Sequence, residues 1–386
     1  MAFLDAFLAP FPVADFLAVH WERAPLHLER DRSVYDGLFG LADADAVLAN
    51  AGGAWAGSIR VVQNGAASPL ARRHDGVEGA YRAYRDGATF VFSALQERVP
   101  AVRELYTSLA EALHGGVNIN AYLTPPASTG FATHYDSHDV FVLQTVGTKR
   151  WVIHRPPFPL PLGSQAFTKA LLPQYLEDAG EPVLEVELTA GDLLYVPRGF
   201  LHAAFSGPEP SLHLTVGVFP PLIGPVLISA LQTAVERDPT LRASLPLGFT
   251  DDLDSIATSL TKLARDAVDS VDWRAVVASL GPQAATTRSP SLDGHLLDLQ
   301  RLPQLRLDTP VRRRPDCTWT ISPHDRRLRV SFHTTHLDVP AHIEPDVRFI
   351  STKDVFTAAE LPGVLDDEGR LVLVRRLVRE GALTFT

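Results

Sequence analysis

Histidine and aspartate that strands and turns can bring together are ligands for a metal with open coordination positions. His134-Tyr135-Asp136 sets an imidazole and a carboxylate two residues apart, which on a strand means one shared face. His202 follows downstream in G-D-L-L-Y-V-P-R-G-F-L-H, just after a predicted strand and a Pro197-Arg198-Gly199 turn. Two His and one Asp on β-structure are the parts of a 2-His-1-carboxylate facial triad, the geometry of non-haem Fe(II) oxygenases. A lone H-x-D is a weak motif, and a single downstream histidine is no stronger. Lys149 adds weight. Its strand alternates Lys149, Trp151 and Ile153 against Arg150, Val152 and His154, so Lys149 opens the more apolar face. Burying an ammonium is costly unless it is paired, and the distal carboxylate of 2-oxoglutarate would pair it. The competing reading is a lysine at a hairpin end that reaches to water.

The elements that must position these residues are short strands. Residues 117–123, 134–146, 149–154, 184–188, 193–196, 202–205 and 212–218 read as strands, separated by turns at 147–148, 191–192, 197–199 and 206–208. Many short strands at this spacing suggest a sandwich or barrel, the cupin jelly roll among them. In the last strand His213 and Thr215 alternate with Leu212, Leu214 and Val216. Thr215 either faces a bound cosubstrate or satisfies its hydroxyl on backbone.

Before this block, residues 1–30 predict a short amphipathic helix and an apolar strand at Pro25-Leu26-His27-Leu28. Residues 36–50 repeat at helical spacing and residues 58–63 read as a strand. Residues 94–114 read as two helical stretches broken at Pro100 and ended by Gly115-Gly116. After it, residues 221–281 turn helical. The stretch L-I-G-P-V-L-I-S-A-L-Q-T-A-V-E-R is apolar almost all round, so it should be buried. Residues 282–292 read as a Pro/Ser/Thr-rich linker. Polar strands follow at T-W-T-I-S and R-L-R-V-S-F, then a closing helix with acids first, arginines late and Gly381 after it.

Composition narrows the class. A chain of 386 residues predicts two or three domains. A net charge of −10 argues against a general nucleic-acid binder. From Arg301 on, 14 Lys and Arg meet 12 Asp and Glu, too even a balance to predict direct DNA binding. Cys317 is the only cysteine, which excludes an intramolecular disulfide framework and a thiolate metal site. The opening M-A-F-L-D-A-F-L-A-P lacks a basic n-region, and no apolar run reaches spanning length. A cytoplasmic enzyme with no membrane association is expected.

The stretch H-Y-D-S-H-D-V-F-V-L-Q-x-x-G-x-K-R-W resembles the JmjC-type oxygenases, most closely their ribosomal-oxygenase branch and its bacterial members. The resemblance extends to F-L-A-V-H-W-E-R-A-P-L-H-L-E-R near the N-terminus and to the layout of the last third, nearly the whole chain. It implies a double-stranded β-helix (jelly-roll/cupin) JmjC domain over residues 1–220, mainly β with helical additions. A helical dimerisation domain over 221–285 and a winged-helix-like domain over 286–386 would follow. It implies Fe(II) held by His134, Asp136 and His202, and 2-oxoglutarate held by Lys149 with Asn120 and Tyr122 lining its pocket. The last two, in N-I-N-A-Y, share one strand face. The implied activity is O2-dependent hydroxylation of an Arg or His side chain of a protein, ribosomal proteins first, by a homodimer. The loop L-T-P-P-A-S-T-G-F-A-T before the triad holds no carboxylate, which an arginine target would call for; Asp139 or another loop would have to supply it. The alternatives are hydroxylation of a peptide natural product or small metabolite, and a non-oxidative metal-binding cupin or scaffold.

Overall fold

The computed structural model describes residues 2–50, 59–63, 66–67, 76–128, 131–286, 292–314, 317, 319–332 and 335–386. Ser58 of the expected strand 58–63, Thr129 and Gly130 of the loop before the triad, residues 287–291 of the expected linker and Thr318 of T-W-T-I-S lie outside them. The chain divides into two compact units, Met1–Pro220 and Pro221–Thr386.

The first unit contains β1 (Leu26–Leu28), β2 (Ile59–Gln63), β3 (Ala66–Ala67), β4 (Thr89–Phe92), β5 (Gly116–Thr124) and β6 (Asp139–Val146). It continues with β7 (Lys149–His154), β8 (Pro182–Leu188), β9 (Leu193–Val196), β10 (Leu201–Ser206) and β11 (Ser211–Phe219). They form an eight-stranded sheet, β1-β9-β6-β11-β5-β4-β2-β3, and a three-stranded sheet, β10-β7-β8. Every pairing in both is antiparallel. This is the jelly roll that the strand spacing predicts.

Alternation explains which way each strand faces. In β5 the buried residues Val117, Ile119, Ala121 and Leu123 alternate with Asn118, Asn120 and Tyr122. In β11 Leu212, Leu214, Val216 and Val218 pack in the same core. That core includes Leu4, Phe7 and Leu8 of the helix Ala2–Leu8 and Val102, Tyr106 and Leu109 of the helix Pro100–Leu113. The other parity, Asn120 and Tyr122 in β5 with His213 and Thr215 in β11, is left to line a cavity. In β7, Lys149, Trp151 and Ile153 are the buried face, as the sequence predicts.

Some local expectations differ. The first of the two helical stretches in 94–114 is only a 3-10 turn, Leu95–Glu97; the helix proper starts at Pro100, whose missing N–H costs nothing at a first helical position. The helix Gly76–Arg85 and strand β4 were not expected at all.

The second unit opens with the helices Ile223–Arg237, Leu253–Asp269 and Trp273–Thr286. The last runs through Gly281-Pro282, so helix replaces the first residues of the expected linker; a proline removes one ladder bond without ending the helix here. Burial of the first helix is not found in the monomer: only its Ala230 is buried, while Ile223 and Ile228 are 80% and 70% exposed. Two three-stranded sheets follow. In one, Pro310–Arg313 lies between Val355–Thr357 and Leu383–Phe385; the other is Trp319–His324, Arg327–Phe332 and Thr335–Pro340 in order. They share a core with the helices Glu344–Thr352 and Asp367–Arg379. Cys317 is buried and forms no disulfide.

Candidate metal and cosubstrate site

His134 and Asp136 do not lie on a strand; β6 begins at Asp139. They sit on the preceding loop, and backbone hydrogen bonds to the other side of the site hold them. His134 N–H donates to the His202 carbonyl (3.2 Å) and His202 N–H to the His134 carbonyl (2.8 Å), an isolated antiparallel bridge. Gly199 N–H donates to the Asp136 carbonyl (2.9 Å). The turn Pro197-Arg198-Gly199 is fixed from behind: Arg198 pairs with Glu22 at 2.7 Å and lies 3.6 Å from Asp139. Gly199 has φ +88°, and a Cβ there would stand 2.8 Å from the Phe158 carbonyl oxygen, so this position needs glycine.

The three side chains converge. Their ligand atoms lie within 4.8 Å of one another, and His202 Nε2 is 3.7 Å from Asp136 Oδ2. Nδ1 of His134 lies 2.9 Å from the Ala132 carbonyl, and Nδ1 of His202 lies 3.0 Å from the Phe200 carbonyl. A carbonyl can only accept, so each Nδ1 carries the proton and each Nε2 keeps its lone pair for a metal. Burial pushes the His202 pKa down to about 4, reinforced by the His134 imidazole and opposed by Asp136. Burial works against the Asp136 charge, but the imidazoles of His202, His134 and His138 outweigh it and hold its pKa below the usual range. Neutral imidazoles and an ionised carboxylate are the protonation states in which these residues bind metal.

The triad opens into a cavity of about 360 Å³ between the two sheets. The larger sheet contributes Asn120, Tyr122 and Thr215; the smaller contributes Lys149 and Trp151 beside His202. All the residues expected of the site therefore come together. Lys149 is 3% exposed, its Nζ donates to the Thr124 hydroxyl (3.0 Å), and no carboxylate is in ion-pair reach among the described residues. Burial brings its pKa down to about 7. Tyr122 stacks on His213 at 5.0 Å and is pushed up to about 12, by burial first and then by Asp136. The Asn120 side-chain oxygen accepts from Ala94 N–H (3.0 Å). Thr215 lines the cavity on the same strand face as His213.

Two buried polar atoms in the lining have no hydrogen-bond partner, His213 Nδ1 and Trp151 Nε1. Such atoms are costly unless a ligand meets them. A buried cation beside unpartnered polar atoms fits a dicarboxylate such as 2-oxoglutarate, as the triad fits Fe(II). Asp139, considered as an acid for an arginine target, does not line the cavity. It is fully buried, accepts from the Tyr195 hydroxyl (2.7 Å) and faces Arg198. Sequence reading missed His213, Trp151 as a lining residue, and Arg60 on β2. Parity held the signal for the first two, since His213 shares a face with Thr215 and Trp151 with Lys149. Nothing in β2 marks Arg60. Gly217 was also missed: a Cβ there would stand 2.8 Å from the His138 ring, which stacks on Phe219 at 4.6 Å.

Residues 99–224 match the JmjC domain family. The chain is 34% identical over 298 residues to ribosomal oxygenase 1 of Gallus gallus, covering 72% of this chain and 49% of that protein. It is also 34% identical to the bifunctional lysine-specific demethylase and histidyl-hydroxylase NO66 of Aedes aegypti, covering 62% of this chain and 39% of that one. The chain thus spans about half, or less, of the length of these curated relatives. Among solved structures, the ribosomal oxygenase YcfD of Escherichia coli superposes with a TM-score of 0.54 at 17% identity, over 97% of this chain and 98% of that one. The same protein solved with cobalt and 2-oxoglutarate gives 0.51 at 16% identity, over the same shares. With its jelly roll and its convergent triad, the chain carries a JmjC domain, and over most of its length it is similar to ribosomal oxygenases.

Proposed function

We propose that the chain is a 2-oxoglutarate-dependent dioxygenase that hydroxylates a side chain of a protein substrate, a ribosomal protein foremost. One observation carries this reading: a His-Asp-His cluster with both Nε2 atoms free shares a cavity with a buried lysine that has no carboxylate partner among the described residues. His134, Asp136 and His202 would hold Fe(II) through two Nε2 atoms and a carboxylate oxygen. Lys149 would take the distal carboxylate of 2-oxoglutarate, with Thr124 orienting its ammonium and His213 Nδ1 beside it. Asn120, Tyr122 and Thr215 would line that pocket. When bound, Fe(II) with 2-oxoglutarate and O2 supplies the oxidising power that turns C–H into C–OH, releasing succinate and CO2. The protein's own work is to orient, to keep Nε2 unprotonated and to exclude water behind Trp151 and Phe131.

Histidine suits this cavity better than arginine as the target. Asp136 is the one carboxylate in the described lining, and it is committed to the metal cluster. Arg60 in the lining would repel a guanidinium, while a neutral imidazole meets no such cost. The mosquito relative carries histidyl-hydroxylase in its name. We read residues 1–220 as the oxygenase domain, 221–285 as a helical homodimerisation domain and 286–386 as a winged-helix-like domain, in a cytoplasmic enzyme. Succinate release from 2-oxoglutarate, dependent on Fe(II), tests the activity; its absence across candidate proteins and peptides would return the chain to a scaffold role. Intact-mass measurement of ribosomal proteins with and without the gene tests the substrate. A gain of one oxygen atom confined to a histidine is expected.

A further inference from the structure

We propose that the C-terminal unit carries a docking groove for an extended acidic segment of a partner protein. The groove lies between the strand Thr335–Pro340 and the helix Asp367–Arg379, with a volume of about 700 Å³. Four successive strand residues, His336 to Val339, line it. Successive residues point to opposite faces of a sheet, so a groove that touches all four runs along the strand's edge. That edge is open among the described residues, where the strand ends its sheet and pairs only with Arg327–Phe332. Among the described residues the one further main-chain contact along it is the Asp338 carbonyl, which accepts from the Arg327 guanidinium (2.6 Å).

The helix side is basic. Val372, Arg375, Arg376 and Arg379 stand at helical spacing on one face and line the groove. Arg376 is paired with Glu380 (2.8 Å); Arg375 and Arg379 have no ion-pair partner among the described residues. The acid on the opposite wall, Asp338, is held by Arg329 through two bonds of 2.8 Å, so it leaves the arginines' charge uncancelled. One helical turn separates Arg375 from Arg379, a rise of about 5–6 Å. Alternate residues of an extended strand are about 6.5–7 Å apart. A segment added to this edge therefore presents every second side chain toward the arginine row, and acids at alternate positions match it. Main-chain bonds would supply affinity and the arginines selectivity, the mode of β-strand addition. A nucleic acid fits less well: it cannot use a strand edge, Val372 is 55% exposed beside the arginines, and the chain is −10 overall.

The test uses the full chain and three fluorescent probes: a short peptide of alternating Glu and Val, the same peptide with Lys for Glu, and a single-stranded RNA. Anisotropy should detect the Glu-Val peptide, weakening as salt rises, and neither of the others. The double substitution Arg375→Glu and Arg379→Glu, on exposed or half-exposed positions, should weaken it about tenfold or more. N-methylation of alternate peptide amides, which keeps the charges and removes the edge bonds, should abolish binding. Unchanged affinity in the charge-reversed variant, equal binding of the methylated peptide, or preference for the RNA would each overturn the proposal.

Discussion

Lys149 hydrogen-bonds one threonine and is buried in the cavity wall with no carboxylate partner among the described residues, so its burial costs stability that a bound cosubstrate carboxylate would offset. Its pKa falls from an ordinary 10.5 to about 7 on folding. Between those values the unfolded chain binds the proton and the folded chain does not, so stability rises with pH through this window and the penalty is fullest below about pH 7. Lys149→Met should therefore stabilise the protein without 2-oxoglutarate at pH 6–7, by on the order of a few kcal/mol. That gain should shrink toward pH 10. Urea denaturation at both pH values measures it, and a gain independent of pH would show a solvated lysine. In ligand binding the sign reverses. Lys149→Ala should leave metal affinity nearly unchanged and weaken 2-oxoglutarate on the order of thirtyfold or more, from a loss of about 2–5 kcal/mol. Anaerobic titration of the Mn(II)-loaded protein reads this directly. Lys149→Arg should be milder, because a cation is kept, though with a different geometry. His134→Ala or Asp136→Ala should abolish Fe(II)-dependent turnover with the circular dichroism spectrum intact. Both side chains stand on a half-exposed loop and contribute no core packing. Turnover retained in both variants would sink the triad assignment.

At the scale of elements, the turn Pro197-Arg198-Gly199 holds the two halves of the triad together. Gly199→Ala must find room against the Phe158 carbonyl and adopt φ +88°, at a cost of about 1–3 kcal/mol. The turn should move, loosening the Gly199–Asp136 bond, so weakened Co(II) binding with an intact far-ultraviolet spectrum is the expected result; wild-type affinity would show that the turn is dispensable. This turn was legible in sequence, because Pro and Gly punctuate it. The strand pattern was legible too, because period-two alternation is set by one core face and one cavity face in β5 and β11, and by one buried face and one open to solvent in β7. The placement of His134 and Asp136 on a strand was not correct. A bridge of one residue pair, His134 with His202, closes the site across more than sixty residues, and no local pattern encodes it. Arg60 escaped for a related reason: its strand reaches the cavity-lining strands through β4, whose four residues are all buried and read equally as buried helix.

At the scale of the whole molecule, the helix Ile223–Arg237 poses a question of cover. Isolated exposed apolar residues are ordinary, but here Ile223, Leu227 and Ile228 are exposed together, as are Leu253 and Leu260 of the helix Leu253–Asp269. Sequence reading required this apolar surface to be buried, with a homodimer implied by the family resemblance; one chain leaves it open, and a second copy of the chain is the cover we infer. Light scattering should give twice the monomer mass of 42.1 kDa at micromolar concentration. Ile228→Glu with Leu260→Glu should shift the protein toward monomer, since each buries a charge in an apolar contact. Both positions are solvent-exposed in one chain, so the fold of the isolated monomer should survive, and the cavity, which lies within Met1–Pro220, should keep its affinity for 2-oxoglutarate. A wild-type mass that stays monomeric across the concentration range would refute the dimer. A double variant that stays dimeric would place its interface on another surface.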